Sequence, residues 1–184
     1  MKHIHLITIL LLIVTSSSNC KKNQLSELDK LPPATQTGAN TLGCLVNGNA
    51  WIPDNGCTLL CPKALKFYFD NSNGGSFTIQ AEYKNLGINR HEFIGIGADS
   101  LLSKKSFASN TDNHLFGVTY SNYLSTGFCR SFLPNDTSVS ISGNLVITKF
   151  DLNNSIISGS FEFTISKPSC ETIQITNGRF DAKL

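Results

Sequence analysis

Charge is scarce in this chain. Asp, Glu, Lys and Arg make up 15% of 184 residues, and fifteen bases against thirteen acids leave a formal charge of +2. A typical protein carries ~25% charged residues. A nucleic-acid binder needs a basic stripe, and this balance does not supply one. No apolar run approaches the ~20 residues of a membrane helix. The longest, Ile4 to Val14, is interrupted by His5 and Thr8. Beyond about eleven residues no stretch keeps a helical period, which argues against a helical domain. Histidine is equally thin: after the first 19 residues only His91 and His114 remain. Gly-x-Ser-x-Gly is absent, and from Gly43 onward so is Ser-x-x-Lys, so the common serine-nucleophile signatures are missing.

What is present begins with an address. Lys2, the short apolar run and Thr15-Ser16-Ser17-Ser18 have the layout of a secretory signal peptide over residues 1–19. Cys20 follows directly. Ser17-Ser18-Asn19-Cys20 resembles a bacterial lipobox, with Ser17 and Asn19 where Leu and a small residue usually stand. Lipidation at Cys20 is the expectation. Acyl chains at about 0.8 kcal/mol per buried CH₂ would tether the domain firmly. Residues 20–42, polar and interrupted by Pro32 and Pro33, read as the lipidated Cys and a flexible tether.

Residues 43–184 read as a single β domain. Asn and Ser together number 39 and Phe 12, a mix suited to strands and turns. Alternation of apolar and polar residues marks 64–70 and 76–84 as a hairpin around Asn71-Ser72-Asn73-Gly74-Gly75. Further strands are expected over 91–98, 114–121, 138–150, 155–166, 171–176 and 179–184. Asn47-Gly48 and Asn177-Gly178 each predict a two-residue turn. Asp99 to Ser109 is the one candidate for a short helix. Gly143 and Gly159 fall on inward parity, where a glycine opposite a large side chain permits strand coiling. The expected fold is an antiparallel β-sandwich or partly closed β-barrel of about 8–10 strands, with at most one short helix.

Two further stretches are distinctive as a pair: Gly43-Cys44-Leu45-Val46-Asn47-Gly48-Asn49-Ala50-Trp51, and Ile156-Ile157-Ser158-Gly159-Ser160-Phe161-Glu162-Phe163 followed by Ile175-Thr176-Asn177-Gly178-Arg179-Phe180-Asp181. Together they resemble a Bacteroidota-type family of envelope lipoproteins built on a domain of unknown function. The resemblance implies lipid anchoring and a β-rich fold, and it carries over no catalytic residue.

Export implies an oxidising compartment, where cysteines pair. Beside Cys20 there are five, so one is left over. Cys129 precedes strand 138–150 and Cys170 follows strand 155–166, so both fall at one end of one hairpin. A Cys129–Cys170 bridge is expected, with Cys57–Cys61 as a second and Cys44 as a buried thiol. Cys57-x₃-Cys61 with scattered His91 and His114 is a weak metal signal, and neither metal nor cofactor is expected. Trp51, Tyr120 and Tyr123 are candidate ligand-contact aromatics, against the simpler reading of Trp51 as core. With no catalytic constellation in view, a non-enzymatic binding or accessory module of the cell envelope is expected. It would sit on the outer membrane through its lipid, with an envelope protein, peptide or glycan as partner. A small hydrolase acting on envelope glycans or peptides is the alternative.

Overall fold

A computed structural model describes residues 25–57, 60–102, 105–109 and 115–184. Residues 1–19, expected as a signal peptide, the expected lipidation site Cys20, and His114 lie outside the described residues. Among the described residues eleven strands form: β1 (Thr41–Val46), β2 (Asn49–Trp51), β3 (Leu65–Asp70), β4 (Ser76–Asn85), β5 (Arg90–Asp99), β6 (Ser106–Ala108), β7 (Phe116–Asn122), β8 (Ser131–Phe132), β9 (Ser140–Asp151), β10 (Ile156–Ser166) and β11 (Ile173–Lys183). The first sheet has the order β2-β1-β11-β10-β9-β6 and the second β3-β4-β5-β7-β8. All paired strands are antiparallel. The sheets do not close into a barrel, so the sandwich is the architecture adopted.

Alternation explains the layering. On β4, Phe77, Ile79 and Ala81 point inward, and on β5 Ile94, Ile96 and Ala98 do the same. From the other sheet, Phe161, Phe163 and Ile165 of β10 and Phe180 of β11 meet them. Aromatic rings fill the space between: Phe77 lies 5.4 Å from Phe180, and Phe116 lies 6.0 Å from Phe163. Burying each such ring contributes roughly 1.5–3 kcal/mol.

Two local expectations are corrected. Asp99 to Ser109 forms no helix among its described residues; Ser106–Ala108 instead pairs with β9 as a sheet edge. Asn177-Gly178 is not a hairpin turn. It lies within β11, which runs unbroken from Ile173 to Lys183. The register on β10 passes from Phe161↔Gly178 to Phe163↔Ile175, so Thr176 and Asn177 are accommodated by a bulge. The physical need is the same as in a turn, because Asn177 takes a positive φ of 53°. Gly178 is held beneath Phe161, whose ring would lie 2.4 Å from an added Cβ. By contrast, Asn47-Gly48 does turn the chain between β1 and β2.

The segment read as a free tether is also corrected from Leu31 onward. Leu31 is buried, and Arg179 donates hydrogen bonds to the carbonyls of Leu31 (3.2 Å) and Pro32. The buried Asp181 carboxylate accepts from Thr35 Oγ1 (2.6 Å) and from the backbone N–H groups of Thr37 (2.9 Å), Gly38 (2.8 Å) and Ala39 (3.1 Å). Ser158 Oγ donates to the same group at 2.8 Å. Polar composition suggested a linker; here the polar groups form a docked strap, because the Asp181 carboxylate, on the face of β11 opposite the core residues Phe180 and Ala182, offers them acceptors. Burial opposes ionisation of Asp181, but these hydrogen bonds outweigh it and hold its pKa well below the usual carboxylate range.

Candidate functional site

A polar cleft opens at one end of the sandwich. Its position follows from the registers. Val46↔Ile175 and Ile165↔Ile173 mark one end of the first sheet. Asn85↔Arg90 and Glu92↔Asn122 mark one end of the second. Cys129, in the connection after β7, and Cys170, after β10, lie at disulfide distance with Cα atoms 5.6 Å apart, and so join these two ends. The cleft has a volume of about 320 Å³. Amides from Asn47, Asn49 and Asn122, the Arg90 guanidinium and the Glu171 carboxylate line it, with Tyr120 and Phe132 as its apolar wall.

Glu92 forms its floor. The strict alternation of β5 puts residues 92, 94, 96 and 98 inside, so this glutamate enters the core where its neighbours bring isoleucine. It is buried, and a buried carboxylate must be paired. Trp51 Nε1 donates to Glu92 Oε2 at 2.8 Å, and Arg90 Nε donates to the same oxygen at 2.9 Å. The guanidinium in turn sits over the Tyr83 ring, 5.0 Å from its centroid. Burial, with the Glu92 carboxylate nearby, pushes the Tyr120 phenol far up, so it stays protonated. Burial likewise pushes the Cys44 thiol up, with the Glu92 charge adding to the effect. Cys44 is therefore a poor nucleophile.

The second acid of the cleft is also engaged. Glu171 Oε1 accepts from Asn47 Nδ2 at 2.8 Å, while Asn47 Oδ1 accepts the N–H of Gln174 at 2.7 Å. His91 points to the other side of β5, where Nε2 meets Glu82 Oε1 at 2.6 Å. Ser125 lines the cleft with no histidine or lysine among the other lining residues. Among the described residues no group of three or more His, Cys, Asp or Glu could hold a metal ion. Cys57 and Cys61 lie at disulfide distance, Cα atoms 5.9 Å apart, so neither offers a free thiolate to zinc.

The three aromatics singled out from sequence take different places. Trp51 is fully buried, and Tyr120 is nearly so, reaching only the wall of the cleft. The reason is parity: β2 turns Trp51 between the sheets, and β7 turns Tyr120 against Phe132, 6.0 Å away. Tyr123 alone stands at the surface, between cleft residues Asn122 and Ser125, with its ring 4.6 Å from that of His91. The sequence reading missed Arg90 and Glu92. The signal that finds them is the alternation itself, which makes Glu92 the inward position of an otherwise apolar series.

No family model, curated protein or solved structure matches the chain.

Proposed function

We propose that this protein is a lipid-anchored module of the cell envelope that binds a small polar ligand in the cleft and does no chemistry on it. The observation that carries the reading is the state of the cleft's acids. Glu92 is already held by Trp51 and Arg90, and Glu171 by Asn47. A glycosidase needs one carboxyl free to donate a proton and another free to attack or to activate water. Glu92 is not free, and Glu171, exposed at the mouth, has no second available carboxyl among the lining residues to work with. Three amides, a guanidinium edge and a rim tyrosine instead suit a ligand rich in hydroxyl and amide groups, and an envelope glycan is the first candidate.

Anchoring and binding are tested separately. Cys20→Ser should move the protein from the membrane to the soluble fraction, and labelled palmitate should enter only the wild type. Unchanged fractionation, or no label, removes the anchor. For the cleft, soluble peptidoglycan fragments are titrated into the full mature chain and followed by amide chemical shifts. Shifts at Arg90, Asn122 and Glu171 that vanish in Asn122→Ala support the site. Release of shorter sugars from the same fragments would overturn the binding reading in favour of hydrolysis.

A further inference from the structure

The docked strap fixes where the chain leaves the domain. From Asp181, at the end away from the cleft, the strap passes Arg179 and reaches β2, where Glu27 Oε2 accepts the N–H of Ala50 at 2.8 Å. Ala50 pairs with Leu45, one position from the cleft residue Val46. The chain thus exits toward the cleft end. Only residues 21–24 separate Cys20 from Leu25, a span of no more than about 20 Å even when extended. An anchor at Cys20 holds this end, and not the other, near the bilayer.

The same end carries exposed apolar side chains. Leu86 and Ile88, 66% and 63% exposed, form the tip between β4 and β5. Leu124 and Phe128, 38% and 57% exposed, lie in the connection between β7 and β8. The two connections are neighbours, since the Tyr123 N–H donates to the His91 carbonyl at 2.8 Å. Arg130 is exposed beside them, its guanidinium 5.6 Å from the Tyr123 ring centroid. Apolar tips flanked by an aromatic and an arginine suit the boundary between headgroups and acyl chains.

We propose that the cleft end of the sandwich rests on the membrane surface, with Leu86, Ile88, Leu124 and Phe128 dipping into the headgroup boundary. This inference rests on the anchoring reading. The tips bind weakly alone and act because the anchor raises their effective concentration at the bilayer. The ligand of the cleft is then a membrane-proximal group, reached from the side.

The test couples Cys20 chemically to a maleimide lipid, so that it does not depend on lipidation in the cell. Cys20 is the reactive thiol in this design, because Cys44 is buried and the other four cysteines are paired. The chain from Cys20 to Leu184 is mounted on nanodiscs of phosphatidylethanolamine and phosphatidylglycerol containing spin-labelled lipid. Amide signals of 86–88 and 124–128 should be lost, while those of 72–74 and 152–154, at the opposite end, persist. Uniform loss at both ends, or loss at the opposite end, overturns the orientation. Leu86→Glu and Ile88→Glu together change exposed side chains only, leave Phe128 on the Lys167 ammonium 3.8 Å from its ring, and should restore the signals of 86–88. Continued loss in that variant, with its fold verified by the remaining amide shifts, overturns insertion by the apolar tips.

Discussion

Trp51 and Glu92 belong to different sheets and meet through one hydrogen bond, the indole N–H on the carboxylate at 2.8 Å. The contact links the short strand β2 to the floor of the cleft. Trp51→Phe keeps most of the ring volume and removes the donor, leaving Arg90 and the Tyr120 hydroxyl as the partners of Glu92. A loss of about 1–3 kcal/mol is expected, read as a lower urea midpoint by far-ultraviolet circular dichroism. An unchanged midpoint would mean that water replaces the indole.

The Cys129–Cys170 bridge ties the two sheets beside the cleft mouth. It closes a loop with a sequence separation of 41, worth on the order of 3–4 kcal/mol in the chain-entropy account. Replacing both cysteines by alanine should lower stability by that order and broaden the amide signals of cleft residues. Non-reducing peptide mapping checks the pairing directly; a peptide joining Cys44 to either partner contradicts it.

Acid should loosen the strap. The folded pKa of Asp181 is depressed, so its contribution is fully present above the unfolded value of about 3.9 and fades as pH falls below it. Asp136, held down to about 2 first by the Ser138 hydroxyl and then by Lys167, follows the same sign. The protection of the Thr37, Gly38 and Ala39 amides, taken relative to their intrinsic exchange rates at each pH, should therefore fall progressively below about pH 4. Asp181→Asn should give fast exchange at those amides already at neutral pH. Protection that persists in Asp181→Asn would assign the strap's hold to Arg179 and Leu31.

Cys44 should resist alkylation. It is fully buried, and its pKa is raised by burial. In Cys20→Ser protein, iodoacetamide at pH 8 should label Cys44 only in denaturant. Labelling of the native protein at a rate like that of a free thiol would show that the β1–β2 region opens readily.

Gly143 should be the least replaceable of the glycines on β9, β10 and β11. Its φ is 140°, and an added Cβ would lie 2.1 Å from the carbonyl oxygen of Glu162. Gly143→Ala should cost more than about 2 kcal/mol. Gly48→Ala, with nothing within 4 Å of the added carbon, should cost about 1 kcal/mol from backbone strain alone. Equal effects of the two would indicate that the β9–β10 pair relaxes.

Much of the fold is written in alternation. The pairing of Phe69 with Phe77, and of Phe163 with Gly143, follows from parity and hairpin geometry. Asn177-Gly178 deceives because a bulge and a turn draw on the same tolerance for positive φ. The strap was hidden for a different reason: Thr35 and Thr37 look like linker residues until Asp181, 144 positions beyond Thr37, is brought opposite them. The cleft is assembled from β1, β2, β5, β7, β8 and β11, so spacing in one segment cannot reveal it. Arg90 and Glu92 alone, two apart on one strand, could be read together.

The central place of β11 in the first sheet has a consequence for biogenesis. β1 has its longer partner there, and the strap before β1 finds its acceptors on the same strand. A chain made from its N-terminus presents β1 and the strap early and their counterpart late. The hairpin of β4 and β5 can form from local contacts, whereas the first sheet waits for a closure across most of the domain, which is slow. During that interval β1 is an unpaired edge with apolar Leu42, Cys44 and Val46, the kind of surface that aggregates or recruits a holding chaperone.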